Sequence, residues 1–397
     1  MEADRIVVGI SGGVDSAVAA ALLARTGRDV HALFMRNWDD DDGYCTSAAD
    51  FQDARRVCAE LGIPLHRASF EPEYRERVFA HFLAELAAGR TPNPDVLCNR
   101  EVKFGVGLEY ARRLGAERFA TGHYARVGAG GRLLRGVDGD KDQSYFLHAL
   151  DARQLACCEF PVGGLRKPEV RKIARDRGLP VADKRDSTGI CFIGERPFGD
   201  FVGRWLPGRA GPIEDDRGVV VGRHRGLERY TIGQRSGLGI GGRADAGGAP
   251  WFVAAKDLAR NTLVVVQGAD HPALHCAGLS AISPHWIAGR APGADFACTA
   301  KVRYRQPDVA CRVSLGDDAV EVRFEAPVSG AAPGQYVVLY DGEECLGGAA
   351  IMAAHPLEDP CRTASRPAAS SRPADAITNT ARSTPSASPT SRAFPTR

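Results

Sequence analysis

A glycine-rich loop near the N-terminus has the residue types of a phosphate-binding site. Residues 9–16 read Gly-Ile-Ser-Gly-Gly-Val-Asp-Ser and lie between a predicted buried strand and a predicted helix. Glycines let backbone N–H groups approach an anion closely, and the N-terminus of the following helix adds partial positive charge. The loop lacks the lysine of a Walker A motif, which disfavours ordinary γ-phosphoryl transfer. The residues predicted to contact a nucleotide are Gly9, Ile10, Ser11, Gly12, Gly13, Val14, Asp15 and Ser16.

Cys98 is the first of two cysteines whose surroundings suit a chemical role. It follows the segment Thr-Pro-Asn-Pro-Asp-Val-Leu, in which two prolines favour an extended, stiff loop rather than a helix. Asp95 precedes it closely and is a candidate general acid or base if burial raises its pKa. Arg100 and Lys103 follow and favour the thiolate. Taken alone, a buried structural thiol is an equal alternative.

Cys191 is the second candidate thiol. It lies in Asp-Ser-Thr-Gly-Ile-Cys-Phe-Ile-Gly, between Gly189 and Gly194, and basic residues precede the segment. Glycines on both sides suit a loop that moves. By periodicity alone, an apolar cysteine in a short strand is favoured over a catalytic one.

The amino-acid composition excludes several classes of protein. The chain has 397 residues, 44% of them hydrophobic and 25% charged, with a net charge of +2 and eleven cysteines. An odd cysteine count without a Cys-x-x-Cys pair argues against a disulfide scaffold and a zinc ribbon. No apolar run is long enough to span a membrane, and the N-terminus lacks a targeting pattern, so we expect a cytoplasmic protein.

The N-terminal half alternates predicted strands and helices, which indicates an α/β fold with a mostly parallel sheet. Ligands of such sheets bind at the carboxyl ends of the strands. The phosphate loop, Met35 and Gly122 all follow predicted strands, so we expect them to share one edge. We predict that this nucleotide-binding domain covers residues 1–203 and contains both cysteines.

Three further segments follow. Residues 204–268 are rich in Gly and Arg and are predicted to form a small central domain. Residues 269–355 carry short strands separated by turn residues, with Arg303 and Tyr304 on one of them, which predicts a C-terminal β-barrel-like domain. Residues 356–397 consist mostly of Ser, Pro, Ala, Thr and Arg, so we expect a disordered tail.

Two sets of motifs resemble known families. Ser-Gly-Gly-Val-Asp-Ser resembles the signature of the N-type ATP pyrophosphatases, which hold the pyrophosphate of ATP and adenylate a carbonyl oxygen. Pro-Asp-Val-Leu-Cys-Asn, Thr-Gly-His-Tyr, Lys-Asp-Gln-Ser-Tyr-Phe and the Cys191 segment resemble the bacterial tRNA-specific 2-thiouridylases. Gly-Gln-Arg-Ser-Gly-Leu-Gly-Ile-Gly, Arg-Tyr-Arg-Gln, Pro-Gly-Gln and Cys-Leu-Gly-Gly extend the resemblance in order, from about residue 5 to about residue 353.

The resemblance implies an activity and its partners. ATP, as cosubstrate with magnesium, adenylates the carbon-2 oxygen of the wobble uridine of a tRNA anticodon. Cys191 receives sulfur as a persulfide from an upstream relay protein, and Cys98 is the other catalytic thiol. Cys98 either releases hydrosulfide by forming a disulfide with Cys191 or assists while the persulfide attacks. Met35, through its backbone, and Gly122 complete the ATP site. No carboxylate cluster in the sequence forms a dedicated site for the magnesium. The residues implied to contact tRNA are Asn93, Pro94, Asp95, His123, Lys141, Asp142, Gln143, Arg303, Tyr304 and Gln335.

Three other functions compete with this interpretation. The first is another enzyme with the same activation chemistry, such as a tRNA 4-thiouridine synthase or an amide-forming synthetase. An amide-forming synthetase needs no cysteine pair. A non-catalytic RNA-binding module is another, and it predicts that both cysteines tolerate serine. A redox-sensing nucleotide-binding protein that uses the thiols as a switch is the third.

Overall fold

The computed structural model describes residues 4–38, 47–186, 193, 196–240 and 248–357. The strands are β1 (Arg5–Gly9), β2 (Asp29–Arg36), β3 (Leu65–Ser69), β4 (Arg118–Thr121), β5 (Ala125–Gly128), β6 (Arg132–Arg135), β7 (Cys158–Glu159), β8 (Gly211–Glu214), β9 (Val220–His224), β10 (Trp251–Asp257), β11 (Thr262–Gln267), β12 (His275–Trp286), β13 (Asp295–Lys301), β14 (Val309–Leu315), β15 (Ala319–Ser329), β16 (Tyr336–Asp341) and β17 (Glu344–Pro356). The α-helices are α1 (Val14–Leu23), α2 (Ser47–Leu61), α3 (Glu71–Tyr74), α4 (Ala80–Ala87), α5 (Pro94–Leu97), α6 (Leu108–Arg113), α7 (Ser144–Leu147), α8 (Ala152–Ala156), α9 (Lys167–Asp176) and α10 (Phe198–Gly203). None of these helices is long and apolar enough to cross a membrane.

A parallel sheet organises the N-terminal part of the chain. Its strand order is β3-β2-β1-β4-β7, and each neighbouring pair is parallel. Ile6, Val7 and Val8 of β1 are fully buried and belong to two apolar clusters, one on each face of the sheet. Burial on both faces is what the continuous apolar runs of this region require. The predicted parallel α/β sheet is therefore confirmed.

Two π-helical segments interrupt the helices, Arg75–Phe79 between α3 and α4 and Cys98–Gly107 between α5 and α6. The prediction that Cys98 lies on an extended loop was wrong. Pro94 occupies the first turn of α5, where backbone N–H groups have no partner within the helix, so the N–H that proline lacks costs no hydrogen bond. The helix therefore begins there and continues through Cys98. Short π-helical segments often occur at functional sites.

A four-stranded sheet, which we call the middle sheet, follows in the chain with the order β10-β11-β8-β9. It has its own apolar core, which includes Ile213, Leu227, Val253 and Leu263. Strands β12 to β17 form an antiparallel sheet in the order β12-β15-β14-β13-β16-β17, and β12 also pairs with β17. That pairing closes the sheet into a barrel, as predicted, and removes its free edges.

A hairpin of the N-terminal part joins the barrel. Strands β5 and β6 pair with each other, and Leu133 and Leu134 of β6 pair with Cys345 and Glu344 of β17. Ion pairs between arginines of the hairpin and acidic residues of the barrel reinforce this contact, including Arg132 with Glu344 at 3.1 Å. The hairpin therefore extends the barrel sheet into the N-terminal part.

Candidate active site

The phosphate loop follows β1 and leads directly into α1, and its own side chains fix its shape. The Ser16 hydroxyl accepts a hydrogen bond from the Ser11 N–H at 3.1 Å and donates to the Gly13 carbonyl at 3.0 Å. Gly12 has a positive φ of 76°, and a Cβ there would lie 2.3 Å from the Asp50 carbonyl oxygen. Only glycine suits this position, so the loop is held in one conformation around the N-terminus of α1.

Met35 and Gly122 lie beside the loop. Gly122 follows β4, as predicted, whereas Met35 is the penultimate residue of β2 rather than a residue after it. A Cβ on Gly122 would lie 2.6 Å from the Ser16 nitrogen, so this glycine lets the neighbouring strand end approach the loop. The Met35 side chain fills the space between Gly9 and Gly107, its Cε 3.4 Å and its Sδ 2.9 Å from the Cβ positions of these glycines. Because Gly107 belongs to the π segment that begins at Cys98, Met35 connects the phosphate loop with the helix of that cysteine.

A lysine neutralises the carboxylate of the phosphate loop. Lys167 Nζ lies 2.7 and 2.8 Å from the two carboxylate oxygens of Asp15 and 2.8 Å from Asp186. The Tyr124 hydroxyl donates to Asp15 at 2.7 Å. Burial, and next the neighbouring Asp15 charge, raise the pKa of Tyr124, which stays a donor. Sequence reasoning missed Lys167, because it lies 152 residues from Asp15 and its helix has no local motif.

A second lysine fastens the loop from the other side. Lys184 Nζ donates to the Gly12 carbonyl at 3.1 Å and pairs with Asp50 and Asp53, both at 2.6 Å. Burial disfavours the charge of Lys184, but the hydrogen bonds to the two carboxylates outweigh it and raise the pKa. Since Lys184 precedes the Cys191 segment closely in the chain, its anchoring brings the start of that segment to the phosphate loop.

The thiol of Cys98 is buried at the first residue of the π segment, and Asp95 lies one turn earlier. Burial raises the pKa of Asp95, and the Lys103 charge opposes that shift. The neighbouring Asn99 is buried and donates from Nδ2 to the Phe146 carbonyl at 3.2 Å. Cys191 lies outside the described residues, so its role as the partner thiol of Cys98 stays a prediction.

His123 stands at the end of β4, close to the phosphate loop. Its Nδ1 lies 2.7 Å from the Thr121 hydroxyl, and its ring packs against Phe104 and Phe160. Burial, and to a lesser extent the charge of Lys103, hold the pKa of His123 well below its usual value. The imidazole is therefore neutral at physiological pH and suits packing or neutral hydrogen bonding rather than charge pairing with phosphate.

The segment 141–143, predicted to contact tRNA, mostly faces the protein. Lys141 pairs with Asp186 at 2.9 Å and remains partly exposed. The Asp142 carboxylate is buried and accepts hydrogen bonds from two backbone N–H groups and one hydroxyl. Gln143 Oε1 accepts from the Tyr124 N–H at 3.0 Å, next to His123. Asp142 and Gln143 thus fix the shape of this segment.

Arg303 and Tyr304 lie beyond the end of β13, which stops at Lys301, so their predicted position on a strand was wrong. The Arg303 guanidinium donates to the carbonyls of Gly330, at 2.9 Å, and Ile232. These bonds replace strand pairing and require the chain to leave the sheet. The Tyr304 ring lies 4.5 Å from that of Phe146. Tyr304 therefore packs beside the residue whose carbonyl binds Asn99.

Gln335 lies just before β16 and reaches the N-terminal part of the chain. Its Nε2 donates to the carbonyls of Thr91 at 2.8 Å and Pro92 at 3.3 Å. Asn93 follows directly, with extended backbone, and Pro94 starts α5. Three of the residues predicted from the tRNA-contact motifs, Asn93, Pro94 and Gln335, therefore lie at or beside the start of the helix that carries Asp95 and Cys98.

The sheet and the site define an α/β nucleotide-binding protein with an appended β-barrel. The family described as tRNA methyl transferase HUP domain matches residues 4–195, the tRNA methyl transferase PRC-barrel domain matches residues 199–267, and the aminomethyltransferase beta-barrel domain matches residues 276–351.

Full-length relatives narrow this class to one family. A tRNA-specific 2-thiouridylase MnmA of Hahella chejuensis is 56% identical over 352 residues, which cover 87% of this chain and 97% of the relative. The enzyme of that name from Xanthomonas euvesicatoria pv. vesicatoria is 56% identical over 364 residues, which cover 90% and 96%. The chain belongs to the family of tRNA-specific 2-thiouridylases, as its motifs predicted.

One solved structure matches part of the chain. The U34-tRNA thiolase NcsA from Methanococcus maripaludis, with its [4Fe-4S] cluster, is 17% identical and has a TM-score of 0.33. The matched region covers 51% of this chain and 63% of that one.

Proposed function

We propose that the protein is an ATP-dependent sulfurtransferase that replaces the carbon-2 oxygen of the wobble uridine in tRNA anticodons with sulfur. The observation that carries this proposal is the contact between two sites. Met35 packs against both the phosphate loop at Gly9 and the π segment that begins at Cys98. A nucleotide held at the loop would then lie against the last residue of the helical segment whose first residue is Cys98, in a chain of the 2-thiouridylase family.

The first step is adenylation of the base. The backbone of residues 9–16 and the N-terminus of α1 would bind the pyrophosphate part of ATP, with Met35 and Gly122 at the adenosine side. The uridine oxygen at carbon 2 attacks the α-phosphorus, pyrophosphate leaves, and the oxygen becomes part of an AMP leaving group. Lys167 supports this step, because it cancels the Asp15 charge that would otherwise repel the phosphates.

The second step delivers sulfur. In one route the terminal sulfur of a Cys191 persulfide attacks carbon 2 and expels AMP. Cys98 then attacks the Cys191 sulfur, which breaks the persulfide S–S bond, leaves sulfur on carbon 2 and forms a Cys98–Cys191 disulfide. In the other route Cys98 attacks the persulfide first, forms the same disulfide, and releases hydrosulfide that attacks carbon 2. Both routes leave a Cys98–Cys191 disulfide that a thiol reductant must reduce by two electrons. Asp95, whose pKa burial raises, would exchange a proton with Cys98 or the base.

The RNA is proposed to contact residues from two of the three predicted domains, 1–203 and 269–355. Asn93 to Asp95 and His123 would surround the extracted base, and Lys141 and Tyr304 would contact the neighbouring nucleotides. Asp142, Gln143, Arg303 and Gln335 are engaged inside the protein and would act by shaping these contacts. The proposal includes a sulfur-relay protein that loads Cys191, and a location in the cytoplasm.

Magnesium is proposed to accompany ATP through phosphate oxygens and water. Among the residues that the structure describes, no group of three or more His, Cys, Asp or Glu side chains is arranged to hold a metal ion. The loop carboxylate Asp15 is engaged by Lys167, and Asp50 is engaged by Lys184. The ion would therefore serve to screen phosphate charge while the chain itself binds the remaining atoms.

The test is a thiolation assay with the full chain. The protein is incubated with ATP, unmodified tRNA, and a cysteine desulfurase with cysteine as the sulfane sulfur source, and 2-thiouridine is measured by mass spectrometry after digestion of the tRNA. We expect ATP-dependent 2-thiouridine that is lost in Cys98→Ser and Cys191→Ser. Cys157→Ser, a change of a half-buried cysteine remote from the loop, is the matched control. Wild-type product from both catalytic variants would overturn the proposal.

A further inference from the structure

A short segment before the Cys98 helix is hydrogen-bonded by two later parts of the chain, the middle-sheet region and the barrel. The Thr91 N–H donates to the Pro333 carbonyl at 2.7 Å, and its own carbonyl accepts from Gln335 Nε2 at 2.8 Å. The Thr91 hydroxyl lies 2.9 Å from that of Thr231. Pro333 and Gln335 belong to the barrel, and Thr231 lies in the middle sheet region. We call these four residues the Thr91 junction.

The barrel side of the junction is itself fixed. The Gln335 N–H donates to the Ala332 carbonyl at 3.0 Å, and its carbonyl accepts from the Ile351 N–H at 2.7 Å. Between Pro333 and Gln335, Gly334 has a φ of 89°, and a Cβ there would lie 2.9 Å from the Thr91 nitrogen. The barrel backbone can therefore approach Thr91 only because a glycine stands at this position.

The middle-sheet side is fixed in the same way. The Thr231 N–H donates to Gln234 Oε1 at 3.0 Å, and the carbonyl of the next residue, Ile232, accepts from Arg303 of the barrel. Lys256 of β10 donates to the Gly89 carbonyl at 3.0 Å, just ahead of Thr91. The segment between α4 and α5 is thus bound at two points by the middle sheet and at two by the barrel.

The place of the junction in the chain gives it a function. Pro92 and the extended Asn93 link Thr91 to Pro94, where the continuous helix that carries Asp95 and Cys98 begins. Two prolines in this link restrict its backbone, so a displacement of Thr91 passes to the start of the helix. Sulfur transfer needs thiols within bonding reach, and an error of about 1 Å in placing reacting groups can cost about 100-fold in rate.

We propose that the Thr91 junction positions Cys98 for sulfur transfer, with Thr231 and Gln335 as positioning residues supplied from outside the nucleotide-binding part. The inference rests on the proposed function of Cys98. It also gives the middle sheet and the barrel a role within the catalytic step. The nucleotide-binding part alone then does not fix the position of the Cys98 thiol.

The test uses an isosteric pair of variants in the full chain. Thr231→Val keeps the shape of Thr231 but removes its hydroxyl, and Thr231→Ser keeps the hydroxyl. We expect Thr231→Val to lower kcat for 2-thiouridine formation about tenfold, with the KM for tRNA within about twofold of wild type, and Thr231→Ser to restore kcat. A purely structural role would instead lower the melting temperature without separating kcat from KM.

A second measurement does not depend on thiolation. Cys98 is buried, so its alkylation requires local opening, and loosening the junction should speed alkylation several-fold, as measured by peptide mass spectrometry in Thr231→Val. Thr91→Val should have the same effect, and the double variant should add nothing, because both changes remove one contact.

Two outcomes separate failure of this inference from failure of the proposed function. Wild-type kcat and Cys98 alkylation in Thr231→Val and Thr91→Val, with active wild-type enzyme, would overturn the junction proposal. Absence of thiolation by the wild type would overturn the proposed function, whereas a changed alkylation rate in the variants would still establish that the junction controls the exposure of Cys98.

Discussion

Asp15 shows how single residues adapt the loop to an anionic ligand. A carboxylate beside a phosphate site repels its ligand unless a positive charge is held against it. Lys167 bonds both carboxylate oxygens of Asp15, and the Tyr124 hydroxyl donates to one of them. At the residue scale, the site is therefore built from charge pairs that cancel before ATP arrives.

Lys167→Met tests this charge balance. The variant leaves Asp15 without its cation, so we expect the KM for ATP to rise about 10-fold or more, in line with about 1.5–3 kcal/mol for a hydrogen bond to a charged group. Lys172→Met is the matched control, because Lys172 lies on the same helix and pairs at the surface with Asp176. Steady-state kinetics at varied ATP gives both values; an unchanged KM in Lys167→Met would contradict this role.

Asp95 gives a prediction about pH. Burial raises its pKa and the Lys103 charge opposes this, since a nearby cation favours the carboxylate. Lys103→Met removes the cation, so the Asp95 pKa should rise further. The limb of the profile of kcat/KM against pH that reports Asp95 should then move to higher pH and disappear in Asp95→Asn. A limb that stays in place or moves to lower pH would exclude Asp95 as the titrating group.

At the element scale, the site depends on two close approaches, each made at a glycine. Gly122 brings the end of β4 against the phosphate loop, and Gly107 lets Met35 pack between the loop and the π segment. Neither contact involves a charged group, so both are set by the spacing of strands and helices. The elements therefore position the nucleotide and the thiol before any ligand binds.

Gly122→Ala tests the first approach. Gly122 has ordinary backbone angles for other residues, so the added methyl, 2.6 Å from the Ser16 nitrogen, acts by displacing the loop rather than by strain. We expect pyrophosphate release to fall about 100-fold, as a shift of about 1 Å at a reacting centre can cause. Gly139→Ala is the control, because a Cβ there meets no atom within 4 Å. Equal rates in the two variants would refute the close contact.

The sequence predicted the elements whose signal is local. The alternation of apolar runs and helical patterns located the parallel sheet of the N-terminal part, and the loop at residues 9–16 carried its own motif. The π segment at Cys98 was missed because two prolines argued for an extended chain, while Pro94 instead begins a helix. Lys167 was missed because its partner is set by tertiary packing. Contacts between distant segments leave no periodic signal in either segment.

At the scale of the whole molecule, the middle-sheet region and the barrel both contact the nucleotide-binding part just before α5. The β5–β6 hairpin extends the barrel sheet, Arg303 joins the barrel to the middle sheet, and Gln335 joins the barrel to the segment before α5. The arrangement places residues of the barrel and of the middle-sheet region around the segment that leads into the Cys98 helix. The molecule therefore supports the view that tRNA contacts and the reactive thiol share one framework.

The C-terminal segment provides a test at this scale. The last strand, β17, runs to Pro356 and pairs there with Cys276, so a truncation must begin after it. Deleting residues 358–397 should leave tRNA affinity and melting temperature unchanged, because this segment has too few large apolar residues to form a core. Filter binding and calorimetry measure the two quantities; a loss of affinity of tenfold or more would assign the segment to the RNA interface.

The central claim is that ATP activates the carbon-2 oxygen of the uridine, and the fate of that oxygen tests it most directly. A tRNA transcript made with uridine labelled with ¹⁸O at the carbon-2 oxygen is thiolated by the full chain, and the AMP is analysed by mass spectrometry. Adenylation of the base predicts one ¹⁸O atom in AMP for each 2-thiouridine formed. If 2-thiouridine forms while the AMP stays unlabelled, the oxygen leaves by another route and the account is wrong.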